Sequence, residues 1–427
     1  MPPRPEWLRL DTAAKIYPSI SATHNNTTFR LDVELYEPVE PLLLQQALIK
    51  IMPRFPSFAV TLKRGLYWYY LEPNDGVPVV REDSGYPCKR LADLLRRDGF
   101  LFNVSYYRDN IIMECFHGLA DGAGAIEFLK TLLYEYFRLA GYDIDPQGMI
   151  MDADGKVRAD EYENSFLTYY DAEGEHAKLR QPKAYHIVGS QLAPNEILVT
   201  HGVMPLKEFL AAVKKRGVTV SAYVASLLIY AVYTEQELAF RHEKRPIVIS
   251  VPIDLRAMFP SHTLRNFISY ANVGVKVTRD LRFDTVLEDV SRQLKEGLAS
   301  DQIHALINKN VKYELNPFIR MTPLFVKNIV VSNTYKSYGE GCYTMVLSNL
   351  KTTQFPVGMK EHIRCIYYTL GVSELNPMNC VLVSYEDRMI ATFARGIKQT
   401  GIIRAFFEHF TRDLGIPVEI RGNEWQS

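Results

Sequence analysis

The chain has few cysteines for its length of 427 residues. There are five: Cys88, Cys115, Cys342, Cys365 and Cys380. Their number is odd, they are widely spaced, and no two form a C-x-x-C pair. This pattern excludes a disulfide framework and a cysteine zinc site. We therefore expect free thiols and no resident metal.

An excess of charge of one sign is also absent, because 49 lysines and arginines balance 49 aspartates and glutamates. A neutral chain without a basic run is not expected to attract nucleic acid or anionic lipid through its overall charge. No apolar run approaches the length of a membrane span, and Met1–Leu8 contains no apolar signal core. We expect a cytoplasmic protein that binds no nucleic acid and does not span a membrane.

Several short motifs that define large enzyme classes are missing. The sequence contains no G-x-S-x-G, no Walker P-loop, no G-x-G-x-x-G and no H-E-x-x-H. These absences argue against a serine hydrolase, a P-loop nucleotide hydrolase, a Rossmann-type dehydrogenase and a zinc protease.

The chain is long enough for two domains, and its 47% hydrophobic content is that of a globular protein. Its pattern divides it into two α/β halves, residues 1–180 and 181–427. Between Asp143 and Glu175 there are ten acidic residues against two basic ones, which predicts a linker or a surface excursion. In the second half, the spacing predicts a strand at Val273–Thr278 and one helix over Asp284–Val311.

The most informative stretch is His117–Gly122, an H-x-x-x-D-G sequence. It follows a predicted strand, Asn110–Phe116, and precedes a predicted helix, Ala123–Ala140. A histidine at a strand end facing a cleft is suited to accept a proton, because its pKa lies near neutrality. The alternative is structural, with Asp121 as an N-cap and His117 as an ordinary strand-end residue.

Four motifs in order resemble those of the thioester-dependent acyltransferase superfamily, which includes chloramphenicol acetyltransferase, the BAHD enzymes, peptide-synthetase condensation domains and alcohol acetyltransferases. His117–Gly122 resembles the H-x-x-x-D-G signature of that superfamily. Arg54–Pro56 is similar to its R-H-P segment, and Asp254–Arg256 followed by Arg265–Phe267 is similar to its D-x-R and G-N segments. Leu347–Leu350 resembles the S-N strand of bacterial alcohol acetyltransferases.

The sequence also departs from the family pattern. The D-F-G-W-G motif is absent, and the nearest string is Ser337–Gly341. Phe116 stands where condensation domains usually carry a second histidine. This second departure favours the free-standing O-acyltransferases, and the S-N resemblance places the chain nearest the bacterial alcohol acetyltransferases.

The resemblance implies two chloramphenicol-acetyltransferase-like halves, each a mixed sheet flanked by helices, forming a V with a central tunnel. It implies that His117 acts as general base and that an acyl group, acetyl above all, passes from acyl-CoA to a small alcohol. Acyl-CoA is then a co-substrate and not a permanent cofactor, and a monomer is expected. Ser348 and Asn349 are candidates for binding the oxyanion or the substrate, or are ordinary strand-end residues.

Asp121 and Gly122 are predicted to support the site. Arg256, the arginine of the D-x-R segment, is the favoured partner of Asp121, and Arg54 is the rival. Such a pair would fix the turn that presents His117 and tie the two halves together.

Two other functions remain open at this stage. One is a non-catalytic condensation-like module that binds a carrier protein or a hydrophobic ligand. The other is an N-acyltransferase or condensation enzyme that takes its thioester from an acyl carrier protein.

Overall fold

The computed structural model describes residues 7–21, 25–177, 181–194, 196–239 and 244–423. The strands are β1 (Leu8–Arg9), β2 (Thr28–Leu35), β3 (Val60–Arg64), β4 (Tyr69–Pro73), β5 (Arg81–Glu82), β6 (Phe102–Tyr107), β7 (Asn110–Phe116), β8 (Leu198–Pro205), β9 (Ile247–Asp254), β10 (Ile268–Val275), β11 (Met345–Thr352), β12 (Ile363–Leu370), β13 (Met378–Tyr385), β14 (Arg388–Arg395) and β15 (Glu419–Gly422). The α-helices are α1 (Tyr17–Ile20), α2 (Pro41–Ile51), α3 (Leu91–Arg97), α4 (Gly122–Leu139), α5 (Ser165–Thr168), α6 (Leu206–Lys215), α7 (Val220–Leu238), α8 (Phe283–Gly297), α9 (Ser300–Leu315), α10 (Pro317–Met321), α11 (Leu324–Thr334), α12 (Val357–Lys360) and α13 (Gly401–Glu408).

A five-stranded sheet with the order β12-β2-β7-β6-β5 forms the centre of the first half. Its middle strand, β7, is buried from Ile111 to Phe116 on both faces, which is why its sequence is a continuous apolar run and not an alternating one. The helices α2 and α4 pack against each other beside this sheet. The sheet therefore holds the end of β7 firmly where the H-x-x-x-D-G motif begins.

A seven-stranded mixed sheet with the order β10-β9-β11-β13-β14-β8-β15 forms the second half. Strand β11 runs parallel to β9 and β13, whereas the other pairs in this sheet are antiparallel. The helix α7 packs against α8 and α13. Because most of α7 is enclosed in the core, it is apolar around most of its circumference.

The second half contributes one strand to the sheet of the first half. The strand β12 lies late in the chain but pairs with β2 along its length, from Ile363 opposite Leu35 to Leu370 opposite Phe29. The first hydrophobic core accordingly includes Met359, Tyr368 and Val383. The division at residues 180 and 181 stays a prediction, and the first sheet needs this segment from beyond it.

Two predicted elements of the second half differ from the structure in their bounds. The single helix predicted over Asp284–Val311 is two helices, α8 and α9, because Ala299 has an extended backbone (φ −62°, ψ 134°). The strand predicted at Val273–Thr278 is β10, which begins earlier and pairs with β9 from Ile268 to Val275.

The acidic stretch after α4 is not a free surface excursion. The Glu161 side chain is buried and the Glu161 carbonyl accepts a hydrogen bond from the Leu264 backbone (2.7 Å). The Thr263 hydroxyl donates to the Glu163 carbonyl (2.8 Å). These bonds join the stretch to the second half.

In the part of the chain that the structure describes, no single helix is long and apolar enough to cross a membrane. The pair α6 and α7, bent by 86°, passes the test of length and composition only when taken together.

Candidate active site

The H-x-x-x-D-G motif forms the turn between β7 and α4. The His117 backbone N–H donates to the Thr27 carbonyl (2.9 Å), and the Leu119 N–H donates to the Phe116 carbonyl (2.8 Å). Asp121 is the N-cap of α4, where its Oδ1 accepts the Gly124 N–H (3.0 Å). The predicted order of strand, turn and helix is confirmed.

Asp121 also forms the predicted ion pair across the two halves. The Arg256 guanidinium contacts it with both terminal nitrogens, Nη1 to Oδ2 at 2.8 Å and Nη2 to Oδ1 at 3.2 Å. The Phe267 backbone N–H donates to Oδ2 as well (2.9 Å). The buried Asp121 carboxylate therefore both caps α4 and forms the ion pair with Arg256.

Arg256 is held by the second half while it reaches Asp121. Its guanidinium donates to the carbonyls of Thr263 (2.9 Å) and Arg265 (2.6 Å) and contacts the Asp254 carboxylate (3.0 Å). Burial acts against the charge, but the attraction and hydrogen bonds of Asp121 and Asp254 together outweigh it, and the pKa of Arg256 is raised. The arginine thus stays charged and links the turn to Asp254, Thr263 and Arg265.

The rival partner, Arg54, lies elsewhere. Its guanidinium binds Glu161 with two hydrogen bonds of 2.6 and 2.7 Å, and both side chains are buried. This second ion pair joins the segment after α2 to the acidic stretch, and Arg54 is therefore not the partner of Asp121.

The start of α4 is packed tightly against the second half. A methyl group on Gly124 would overlap the backbone carbonyl of Leu264. A methyl group on Gly122 would lie 2.9 Å from the Leu350 side chain and 3.6 Å from the Tyr368 hydroxyl. Glycine is needed at these positions for close approach and not for backbone conformation.

We expect Gly124→Ala to lower the free energy of unfolding by at least about 1–3 kcal/mol, the usual cost of overpacking. The reason is that the overlapping atom belongs to the backbone of Leu264 and cannot rotate away. Denaturant melts measure the change. Gly297→Ala, at the end of α8, is the control, since its added methyl would meet only the Ala271 methyl at 3.3 Å. Equal stability of both variants would contradict the close packing.

His117 lies half-buried between aromatic rings. Tyr17 stacks on its imidazole with 5.0 Å between ring centroids, and the Phe29 ring meets it edge-on at 4.9 Å. Its Nδ1 atom is buried and has no hydrogen-bond partner among the described residues. Desolvation lowers the pKa of His117 to about 4, although the Asp121 charge and the Asn266 side chain act in the opposite direction. The imidazole is therefore neutral at physiological pH and able to accept a proton.

A cluster of tyrosines that begins with Tyr17, beside His117, was not predicted. The Tyr17 and Tyr270 hydroxyls are 3.3 Å apart, and those of Tyr335 and Tyr343 are 3.5 Å apart. Tyr270 also interacts electrostatically with Tyr335. Tyr335 begins a short π-helix, Tyr335–Gly339, a distortion often found at functional sites. The 26 tyrosines of the sequence hint at an aromatic cavity but not at these positions.

Asp11 is a further residue that the sequence does not reveal. It is fully buried, and its Oδ2 accepts a hydrogen bond from the Asn266 side chain (3.3 Å) and lies 3.7 Å from Arg265 Nε. Desolvation raises the pKa of Asp11 despite the attraction of Arg265. Asp11 thus holds Asn266, whose side chain also interacts with His117.

The structure places the predicted pair Ser348 and Asn349 in the middle of β11. Leu350, one residue further, is the side chain closest to the position of a methyl on Gly122. The Asn349 amide donates to the Ser221 hydroxyl at the start of α7 (3.2 Å), and Ser348 is buried. Among the described residues neither side chain hydrogen-bonds to His117, and their predicted roles stay predictions.

No protein-family model matches the sequence, and no curated protein matches it either. Solved structures do match along nearly the whole chain. Polyketide synthase associated protein 5 from Mycobacterium tuberculosis is 13% identical, with a TM-score of 0.62, and the match covers 94% of this chain and 95% of that one. The wax ester synthase/diacylglycerol acyltransferase from Marinobacter aquaeolei VT8 is 12% identical, with a TM-score of 0.56 and coverage of 95% and 100%.

A third match is TRI101 of F. graminearum, solved with ethyl coenzyme A. It is 11% identical, with a TM-score of 0.57, and 96% of this chain and 99% of that chain are covered. Identities this low show a shared fold and not a shared reaction. The predicted mixed α/β fold of the condensation-domain and acyltransferase type is confirmed.

Proposed function

We propose that the protein is an acyltransferase that moves an acyl group from a coenzyme A thioester to a hydroxyl group of a small acceptor. The observation that carries the proposal is the neutral, half-buried His117, whose turn is fixed by the Asp121–Arg256 pair. Two of the matching structures support this assignment: one is a wax ester synthase/diacylglycerol acyltransferase, and the other, TRI101, was solved with ethyl coenzyme A.

The proposed reaction begins at the acceptor hydroxyl. Its proton passes to the His117 imidazole while its oxygen attacks the thioester carbonyl carbon. The tetrahedral intermediate then expels the coenzyme A thiolate, which takes the proton back from the imidazolium, so that an ester and free coenzyme A are released. No covalent enzyme intermediate is required, because a thioester is already an activated acyl donor.

Three groups are assigned supporting roles. Asn266 stabilises the imidazolium, since its side chain favours the protonated ring. Asp121 positions His117 through the turn and does not contact substrate. Ser348 and Asn349 are the proposed oxyanion donors. A V-shaped cleft with a tunnel between the two halves would admit the donor and the acceptor from opposite faces, with the tyrosine cluster as part of its wall.

A direct test mixes the purified protein with acyl-CoAs of different chain length and with alcohols or amines, and measures thioester consumption. Consumption that requires an alcohol and yields an ester supports the proposal. Consumption with amines only would indicate N-acylation. Binding of acyl-CoA without any turnover would indicate the non-catalytic module.

The pH dependence of the reaction is a second test. Because the pKa of His117 is lowered to about 4, the neutral base is fully present above that pH and is lost as the pH falls through it. We expect kcat/KM to be flat between about pH 6 and 8 and to decline only near the lowered value. Circular dichroism at each pH separates this decline from unfolding. A decline centred near 6.5, the ordinary histidine pKa, would contradict the desolvated base.

A further inference from the structure

One region of the surface is unusually apolar. It consists of α10, the following part of α11 and the tip of the β3–β4 hairpin, and we call it the α10–α11 surface. Five of the ten large apolar side chains that are more than 60% exposed in the described part of the chain lie here: Leu66, Phe318, Met321, Phe325 and Ile329. Single exposed apolar residues are ordinary, whereas a cluster of them marks a binding surface.

Specific contacts hold the two parts of this surface together. The Leu324 backbone N–H donates to the Leu66 carbonyl (2.8 Å). The Lys327 ammonium group donates to the Tyr67 carbonyl (2.9 Å) and lies 3.5 Å from the centre of the Trp68 ring. The apolar side chains are therefore exposed on an ordered platform and are not the ends of a loose loop.

The charge of this surface is positive, although the whole chain is neutral. From 315 to 339 the sequence has no acidic residue, and two of its three basic residues, Arg320 and Lys336, are exposed. The third, Lys327, is buried. The hairpin tip adds Lys63 and Arg64, which are exposed. Lys63 forms an ion pair with Glu72 (3.5 Å), which partly neutralises its charge. Apolar side chains bordered by cations match a membrane surface with anionic headgroups, which offers apolar chains below a negative layer.

We propose that the α10–α11 surface docks the protein on the surface of an anionic lipid bilayer. A second copy of the chain fits less well, because a symmetric contact would bring the same cations against each other. The proposal concerns binding at the interface and needs no helix that crosses the membrane. It also does not depend on the proposed function.

The α10–α11 surface is connected to His117 through the short helix α1. The Ser19 hydroxyl at the end of α1 donates to the Asn328 side chain on α11 (2.9 Å), and Tyr17 on the same short helix stacks on the His117 ring. The helix α1 therefore contacts both α11, which would lie on the lipid, and His117, the proposed base.

The test is co-sedimentation of the purified chain with vesicles of phosphatidylcholine, alone or mixed with phosphatidylglycerol. We expect binding to the mixed vesicles that weakens as salt is added. The double variant Phe318→Ser/Met321→Ser should bind at least about tenfold more weakly, because it removes apolar surface that enters the bilayer. Arg320→Gln should weaken binding about fivefold, the usual effect of one cation near an anionic surface.

The matched control is Leu42→Ser/Leu238→Ser, which removes two equally exposed leucines far along the chain from this surface. It should bind vesicles like the unchanged protein, and thermal melts should show that all variants are folded. Absence of binding to the mixed vesicles, or an equal loss in the control, would overturn the proposal. A dimer in sedimentation velocity that Phe318→Ser/Met321→Ser dissociates, without vesicle binding, would assign the surface to self-association instead.

Discussion

Replacement of His117 by alanine is expected to lower acyl-CoA turnover at least about 100-fold, the lower bound for loss of a positioned general base. The free energy of unfolding should change little by comparison, because the ring is half-buried and its Nδ1 makes no hydrogen bond to the described residues. The measurement is thioester consumption with a true acceptor present, together with a denaturant melt. A large loss of turnover with a small loss of stability is the combination that a base predicts.

The chain offers a matched control in His201. This histidine is also half-buried, desolvation lowers its pKa to about 3, and its ring lies 4.4 Å from that of Tyr367. It stands on β8 and binds the Thr392 hydroxyl (2.9 Å), away from the H-x-x-x-D-G turn. His201→Ala should retain turnover. Unchanged turnover in His117→Ala, or an equal loss in both variants, would remove His117 from the reaction.

Local sequence signals predict the elements that hold the site. Proline is the first residue of α2 (Pro41–Ile51), where its fixed φ suits the start of a helix. The apolar run of β7 likewise predicts Asn110–Phe116. These signals act over a few residues, through the restricted φ of proline and through the burial of both strand faces. They do not depend on the rest of the fold.

What the sequence does not reveal depends on contacts between distant segments. Tyr17 and Tyr270 meet although 253 positions separate them, and Asp11 reaches Asn266 across 255 positions. Tyr17, Tyr270 and Asp11 stand in no recognisable motif. The strand β12 has a clear apolar pattern, but that pattern does not say which sheet it joins. Pairing partners follow from the packing of the whole chain.

The Asp121–Arg256 pair is a contact between distant segments that the sequence nevertheless predicts. The family resemblance predicts it, because both residues stand in matching motifs 135 positions apart. Arg54 is the rival partner in the sequence. The structure decides for Arg256, because Arg54 donates two hydrogen bonds to Glu161 instead.

The second large effect is expected at Asp121. Asp121→Ala should lower the free energy of unfolding by roughly 3–5 kcal/mol, the range measured when one member of a buried ion pair is removed. The loss strands the Arg256 guanidinium, which cannot release its proton, and it also leaves the Gly124 and Phe267 N–H groups without their acceptor. His117→Ala does none of this. Asp121→Ala should therefore be the less stable variant, although only His117 is proposed to touch substrate.

Asp121→Asn separates the two roles of this carboxylate. Asparagine caps a helix about as well as aspartate, so the bond from Gly124 to the side-chain oxygen is retained while the charge facing Arg256 is lost. If the ion pair matters, Asp121→Asn is clearly destabilised, and a double-mutant cycle with Arg256→Ala shows coupling of about 1–3 kcal/mol. Turnover should fall along with stability, because the turn that presents His117 relaxes. Asp121→Asn with unchanged stability and no coupling would reduce Asp121 to a helix cap. The link between the halves would then rest on the hydrogen bond from the Leu264 N–H to the Glu161 carbonyl and on the close packing at Gly124.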